Sequence, residues 1–126
     1  MRFLTLIALL GSTGVLLAQG PTFTFTPAHG NAIKGGYFSP RGPISFTDQY
    51  DGNVYMIEPS KIESIVLTAR TPPFTSKCGT ASRAIITLTD HTREHGCFGP
   101  APVAFIGSPG SIASVGSVIG KFVREK

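Results

Sequence analysis

The chain has 126 residues, 41% of them hydrophobic and 14% charged, with 15 Gly, 10 Pro, 2 Cys and no Trp. One domain usually takes about 100–200 residues, so this length leaves no room for a multidomain enzyme. The charge content is about half the globular norm of roughly 25%, which excludes a charge-driven disordered chain, and the apolar content is enough for a core.

Met1-Arg2 supplies one positive charge, and Phe3 to Ala18 then runs uncharged and rich in Leu, Ile and Val. A short basic start, an apolar stretch and a small residue at its exit predict a secretory signal peptide over 1–18, cleaved after Ala18. The apolar run falls short of the ~20 residues that span a bilayer. The expected mature domain is 19–126, a single β-rich unit. Of the charged residues it loses only Arg2, so 11 Lys+Arg become 10 against 7 Asp+Glu, a net charge of +3.

Thr22-Phe23-Thr24-Phe25-Thr26 alternates strictly and predicts a half-buried strand, placed at a sheet edge where it could add to a partner's sheet. Residues 27–36 read as a loop, followed by the aromatic pair Tyr37-Phe38. Pro40 and Pro43 stiffen the turn around Arg41 and Gly42. Ile44–Thr47 and Val54–Ile57 read as the arms of a hairpin turned by Asp51-Gly52, with Pro59 ending the second arm. Ile62–Thr68 is apolar and β-branched, the pattern of a buried strand.

Thr71-Pro72-Pro73-Phe74 breaks the pattern. Arg83–Thr89 reads as a strand, Asp90–Gly96 as a turn, and Cys97-Phe98 as the start of the return arm. Val103–Ile106 is a further short strand. Ile112, Val115, Ile119, Phe122 and Val123 fall at helical spacing, which predicts a short C-terminal helix, with a strand pair bent at Gly116 as the alternative. The expected fold is mainly β: a small antiparallel sandwich or barrel of about six short strands. Cys78 and Cys97 are the only cysteines, and in an exported chain two cysteines pair. That disulfide would close a loop of about 20 residues and contribute about 3 kcal/mol.

Two sets of residues are of types that carry chemistry. His91-Thr92-Arg93-Glu94-His95 matches H-x-x-E-H, a zinc-protease motif that needs a helix to bring both histidines to one face. Here it follows a strand and ends in Gly-Cys, so a solvated hairpin turn is expected and no metal. Glu58, Glu63, Arg70, Arg83, His91 and His95 supply the types that a small secreted ribonuclease uses, a base, an acid and a phosphate-holding Arg, but at no motif spacing. No G-x-S-x-G elbow, phosphate loop or dinucleotide fingerprint occurs, and no cofactor is expected. The basic residues are scattered except at the C-terminus, which argues against a nucleic-acid stripe.

What remains is binding surface. The proline-stiffened loops at 37–43, 70–77 and 99–102 are pre-ordered, which lowers the entropy lost on docking. Tyr37, Phe38, Arg41, Arg70 and Phe74 are the expected contact residues, since aromatics and Arg anchor interfaces. A signal peptide, a mature domain near 100 residues, one disulfide and a β-rich body without a catalytic motif resemble the small secreted effector proteins of plant-associated fungi. The resemblance implies a monomeric, non-enzymatic protein, secreted and in some cases carried into host cells, that occupies a host protein's surface or cleft, in some cases a secreted hydrolase such as a protease. The alternative reading is a small secreted hydrolase, ribonuclease-like before metalloprotease. No nucleic-acid partner and no membrane contact after signal cleavage are expected.

Overall fold

The computed structural model describes residues 20–74 and 76–126. The signal peptide expected over 1–18 lies outside the described residues. In chain order the strands are β1 (Phe23–Pro27), β2 (Ile33–Ser39), β3 (Ile44–Asp48), β4 (Val54–Ile57), β5 (Ile62–Thr68), β6 (Arg83–Leu88), β7 (Arg93–Phe98), β8 (Ala104–Ser108), β9 (Ser111–Ile112) and β10 (Gly120–Arg124). Short 3₁₀ turns at Pro59–Lys61 and Val115–Ser117 complete the regular structure among the described residues.

Phe25, Phe122, Ile65 and Ile86 stand side by side on β1, β10, β5 and β6. Opposed residues in an antiparallel ladder share a face, so this row sets the inner surface of the sheet. All four are buried, and Phe23, Phe38, Phe105, Ile62 and Leu67 join them in one apolar cluster. The ring of Phe122 lies 4.4 Å from that of Phe25, 4.8 Å from Phe105 and 5.1 Å from Phe38, centroid to centroid. The strands run β4-β3-β7-β6-β5-β10-β1-β2-β8-β9, every pair antiparallel, and the sheet curls into a half-barrel around these side chains.

The hairpin of β3 and β4 and the strand β5 lie where they are expected. The Cys78–Cys97 disulfide is formed and ties the loop before β6 to β7. Among the described residues there are ten strands, however, not about six. Part of the expected loop 27–36 is the start of β2, hidden in the sequence by Gly35 and Gly36. Gly36 is needed for close approach, because a Cβ there would sit 2.3 Å from the Phe105 ring. The expected turn 90–96 is shorter: Asp90 Oδ1 accepts from Thr92 N (3.0 Å) and Thr92 Oγ1 (2.6 Å), and β7 begins at Arg93. Gly96 belongs to β7, where a Cβ would fall 1.9 Å from Thr47 O of β3.

The C-terminal helix is absent. Four of its five apolar positions are divided among β9, the Val115–Ser117 turn and β10, Ile119 falls between that turn and β10, and Ile119 and Val123 are exposed. Val115, Val118, Ile119 and Val123 are β-branched and favour extended backbone. In the centre of the sheet, β10 satisfies the ladders of both β1 and β5, which a helix could not do. The same arrangement corrects the expected edge: β1 is flanked on both sides, by β10 and β2. The true edges are β4 and the two-residue β9.

Candidate binding face

The turn joining β3 and β4 is tied by its own side chains. Asp48 Oδ1 accepts from Tyr50 N (2.7 Å) and Asp51 N (3.1 Å), and Asp51 Oδ1 accepts from Asn53 N (2.7 Å). The Asp51 and Tyr50 N–H bonds hold the Asp48 carboxyl below the usual carboxylate range. Lys77 N donates to Gln49 O (3.0 Å), so the loop after β5 is bonded to this turn. The disulfide anchors the same loop one residue later.

The arm that follows the turn is exposed and apolar: Tyr50 is 74%, Val54 50%, Tyr55 44% and Met56 62% accessible. Val54, Tyr55 and Met56 stand on β4, whose only neighbouring strand among the described residues is β3. Asp48 N donates to Asn53 O on the β4 side of β3, while Gly99 N donates to Ser45 O on the β7 side. Hydrogen-bonding direction alternates along a strand, so 44, 46 and 48 face β4, and Tyr55 and Ile57 answer them. The N–H and C=O of Val54 and Met56 therefore point to the free edge. Natural edges are blunted by Lys, Pro or a bulge, and β4 carries none of these.

Each end of β4 meets a cleft. Beside the Tyr50 turn lies one of about 360 Å³, lined by Gln49, Tyr50, Ala69, Arg70, Thr71, Pro73, Ser76 and Arg83. At the other end Pro43, Met56, Ile57, Glu58, Lys61 and Leu88 form a groove of about 310 Å³. Pro43 and Glu58 also line the next cleft, about 250 Å³, with Tyr37, Arg41 and Pro59. The Arg41 guanidinium stacks 3.6 Å from the Tyr37 ring centroid.

The expected contact residues are thus divided. Tyr37 and Arg41 share a cleft before β5, and Arg70 lines one after it. A seven-residue strand separates these ends by about 23 Å. Phe74 is exposed in the Arg70 loop. Phe38 is no contact residue: it is buried between Phe23 and Phe105, because the side of β2 opposite Tyr37 faces the core. Arg70 is partly structural, its Nε donating to Ala81 O (3.0 Å) and its Nη2 to Gly96 O (3.4 Å).

The residues weighed for catalysis do not converge. Glu58 precedes the Pro59–Lys61 turn, and the His91 turn is bonded beside it through Thr89 N to Lys61 O (2.9 Å). Arg70 and Arg83 stand at the other end of β5 and β6. His91 occupies a turn at φ 73° and His95 lies on β7, so no helix face joins them. Sequence reasoning missed Val54, Tyr55 and Met56 as surface. The signal was there: three successive apolar residues break the alternation that a half-buried arm requires. Comparison with known proteins finds no matching family model, no matching curated protein and no matching solved structure.

Proposed function

We propose that the protein is a small secreted binding module, not an enzyme, that takes an extended segment of an extracellular host protein alongside β4. The observation that supports this reading best is the exposed run Val54, Tyr55, Met56 on an unpaired strand edge, with Tyr50 at its head. The segment would pair with the outward N–H and C=O groups of Val54 and Met56. Alternate side chains would pack on Tyr55 on one face and on Val54 and Met56 on the other.

Magnitudes decide how much more is needed. Fully burying a side chain of this size yields about 1.5–3 kcal/mol, so four half-exposed ones give roughly 4 kcal/mol. The edge hydrogen bonds add about 1 kcal/mol each. Association costs at least ~4 kcal/mol, which leaves the strand alone short of the ~8 kcal/mol of a micromolar complex. The partner therefore also engages the surface beyond the two ends of β4: the cleft of Tyr50 and Arg70, with Phe74 exposed in the same loop, past one end, and the cleft of Tyr37 and Arg41, next to the groove of Pro43 and Met56, past the other. The effector resemblance makes a secreted hydrolase, held without being cut, the favoured partner class.

The test is capture from plant leaf extracellular fluid and whole lysate, read by mass spectrometry. The oxidised protein is compared with a Val54→Lys, Met56→Lys variant. A partner held saturably by the wild type and lost by the variant is expected, with affinity falling about tenfold in Tyr37→Ala, Arg41→Ala, the size of one lost ~1.4 kcal/mol contact. Equal capture by wild type and the β4 variant would overturn the reading.

A further inference from the structure

Thiols and thioethers are the side chains that a peroxide oxidises most readily. The chain has two cysteines and two methionines. Cys78 and Cys97 are joined, which leaves no free thiol among the described residues. Met1 opens the segment expected to be cleaved. The expected mature chain therefore offers a peroxide one reactive sulfur, that of Met56.

Met56 stands on β4, opposite Ser45 of β3, and is 62% exposed. It lies outside the apolar cluster that holds the sheet together. A thioether so placed meets solutes without any opening of the fold. Along β4 it shares a face with Val54, since side chains two apart on a strand point the same way. Docking of an extended segment on that face would take both side chains out of water.

Hydrogen peroxide reverses the character of this position. Its O–O bond breaks, one oxygen forms an S–O bond on Sδ, and the other leaves as water. The sulfur gives up two electrons and the peroxide takes them. A flexible apolar side chain becomes a polar one. In the free protein the new oxygen stays hydrated, so the fold bears no cost. Against apolar side chains of a docked segment it loses that water without gaining a donor, so the complex alone is weakened.

We propose that Met56 is an oxidation site that regulates the docking edge: the thioether form docks, and the sulfoxide form docks at least about tenfold more weakly. The inference rests on the β4 reading above. Coupling between two events is reciprocal, so a docked partner in turn shields Met56 from peroxide. The test treats the disulfide-bonded protein with hydrogen peroxide and locates added oxygen by peptide mass spectrometry. The urea midpoint and capture from leaf extracellular fluid are then compared with those of the untreated protein. One oxygen on Met56, entering as fast in the folded chain as in the urea-unfolded one, is expected, with an unchanged midpoint. The affinity for the captured protein should fall at least about tenfold and return after treatment with reductases for both sulfoxide epimers. Met56→Leu, whatever its own affinity, should capture equally before and after peroxide. Undiminished capture by the sulfoxide form, alongside loss in Val54→Lys, Met56→Lys, would overturn this inference and leave the β4 reading standing. So would slow oxidation of Met56 in the folded chain, or an equal fall in Met56→Leu. Equal capture by the untreated wild type and the lysine variant, or none by either, would overturn both.

Discussion

Glu125 follows β10 and collects three donors: Thr24 Oγ1 at 2.6 Å, Gly35 N at 2.7 Å and Thr22 Oγ1 at 2.8 Å. One carboxylate thus links the C-terminal end of the sheet to β2 and to the start of β1. The Thr24 hydroxyl, then the Gly35 N–H and the Thr22 hydroxyl, hold its pKa below the usual 4.5. A hydrogen bond to a charged group is worth about 1.5–3 kcal/mol when protected. Glu125 is only half-buried, so solvent screening reduces the three together to about 1–2 kcal/mol. Because the folded pKa lies below the unfolded one, this stability is fully present above pH 4.5 and is lost as the pH falls through the lower folded value. Glu125→Gln should therefore lower the urea midpoint by roughly 1 M at pH 7, and the gap should close toward pH 2.5. Asp48 and Asp90 also have lowered pKa values, but both proteins carry them and their contribution cancels in the difference. A gap of the same size at both pH values, or none at pH 7, would refute this account of Glu125.

Three further outcomes follow from the packing. Phe122→Ala empties the position ringed by Phe25, Phe38 and Phe105 and should cost about 3–5 kcal/mol in urea unfolding, and a loss under 1 kcal/mol would contradict this core. Cys78→Ser, Cys97→Ser opens a link between residues 19 apart in sequence and should cost about 3 kcal/mol by the same measurement. Gly96→Ala pushes a methyl into Thr47 O and should destabilise by about 1–3 kcal/mol or more, with amide shifts concentrated on β3 and β7. Unperturbed β3 amides would show that the two strands do not approach so closely.

The sequence read most clearly where one local signal and one tertiary demand agreed. Ile44–Thr47 alternates and Val54–Ile57 is a run of β-forming residues, on either side of Asp51-Gly52, and Ile62–Thr68 is β-branched between Pro59 and the Pro72-Pro73 break. These segments form β3, β4 and β5 at nearly the predicted bounds. It misled where glycine stood for close packing: Gly36 and Gly96 suggested loop and turn, yet both lie inside strands against a neighbour's ring or carbonyl. The helical spacing from Ile112 to Val123 arose by chance, because β9, the Val115–Ser117 turn, the link after it and β10 supply those residues. Tyr37-Phe38 gave no clue which ring faces inward; it is Phe38, which stands opposite the buried Phe105 of β8. Strand order is a long-range property, so nothing local could show that β1 is central and β4 the edge.

The central claim, that β4 is the docking strand, is tested most directly by amide hydrogen exchange of the protein with and without its captured partner. The account predicts that the Val54 and Met56 amides, which point to the free edge, slow markedly in the complex, while Tyr55 and Ile57, already paired with β3, change little. Protection confined to other surfaces, with Val54 and Met56 exchanging as in the free protein, would contradict it.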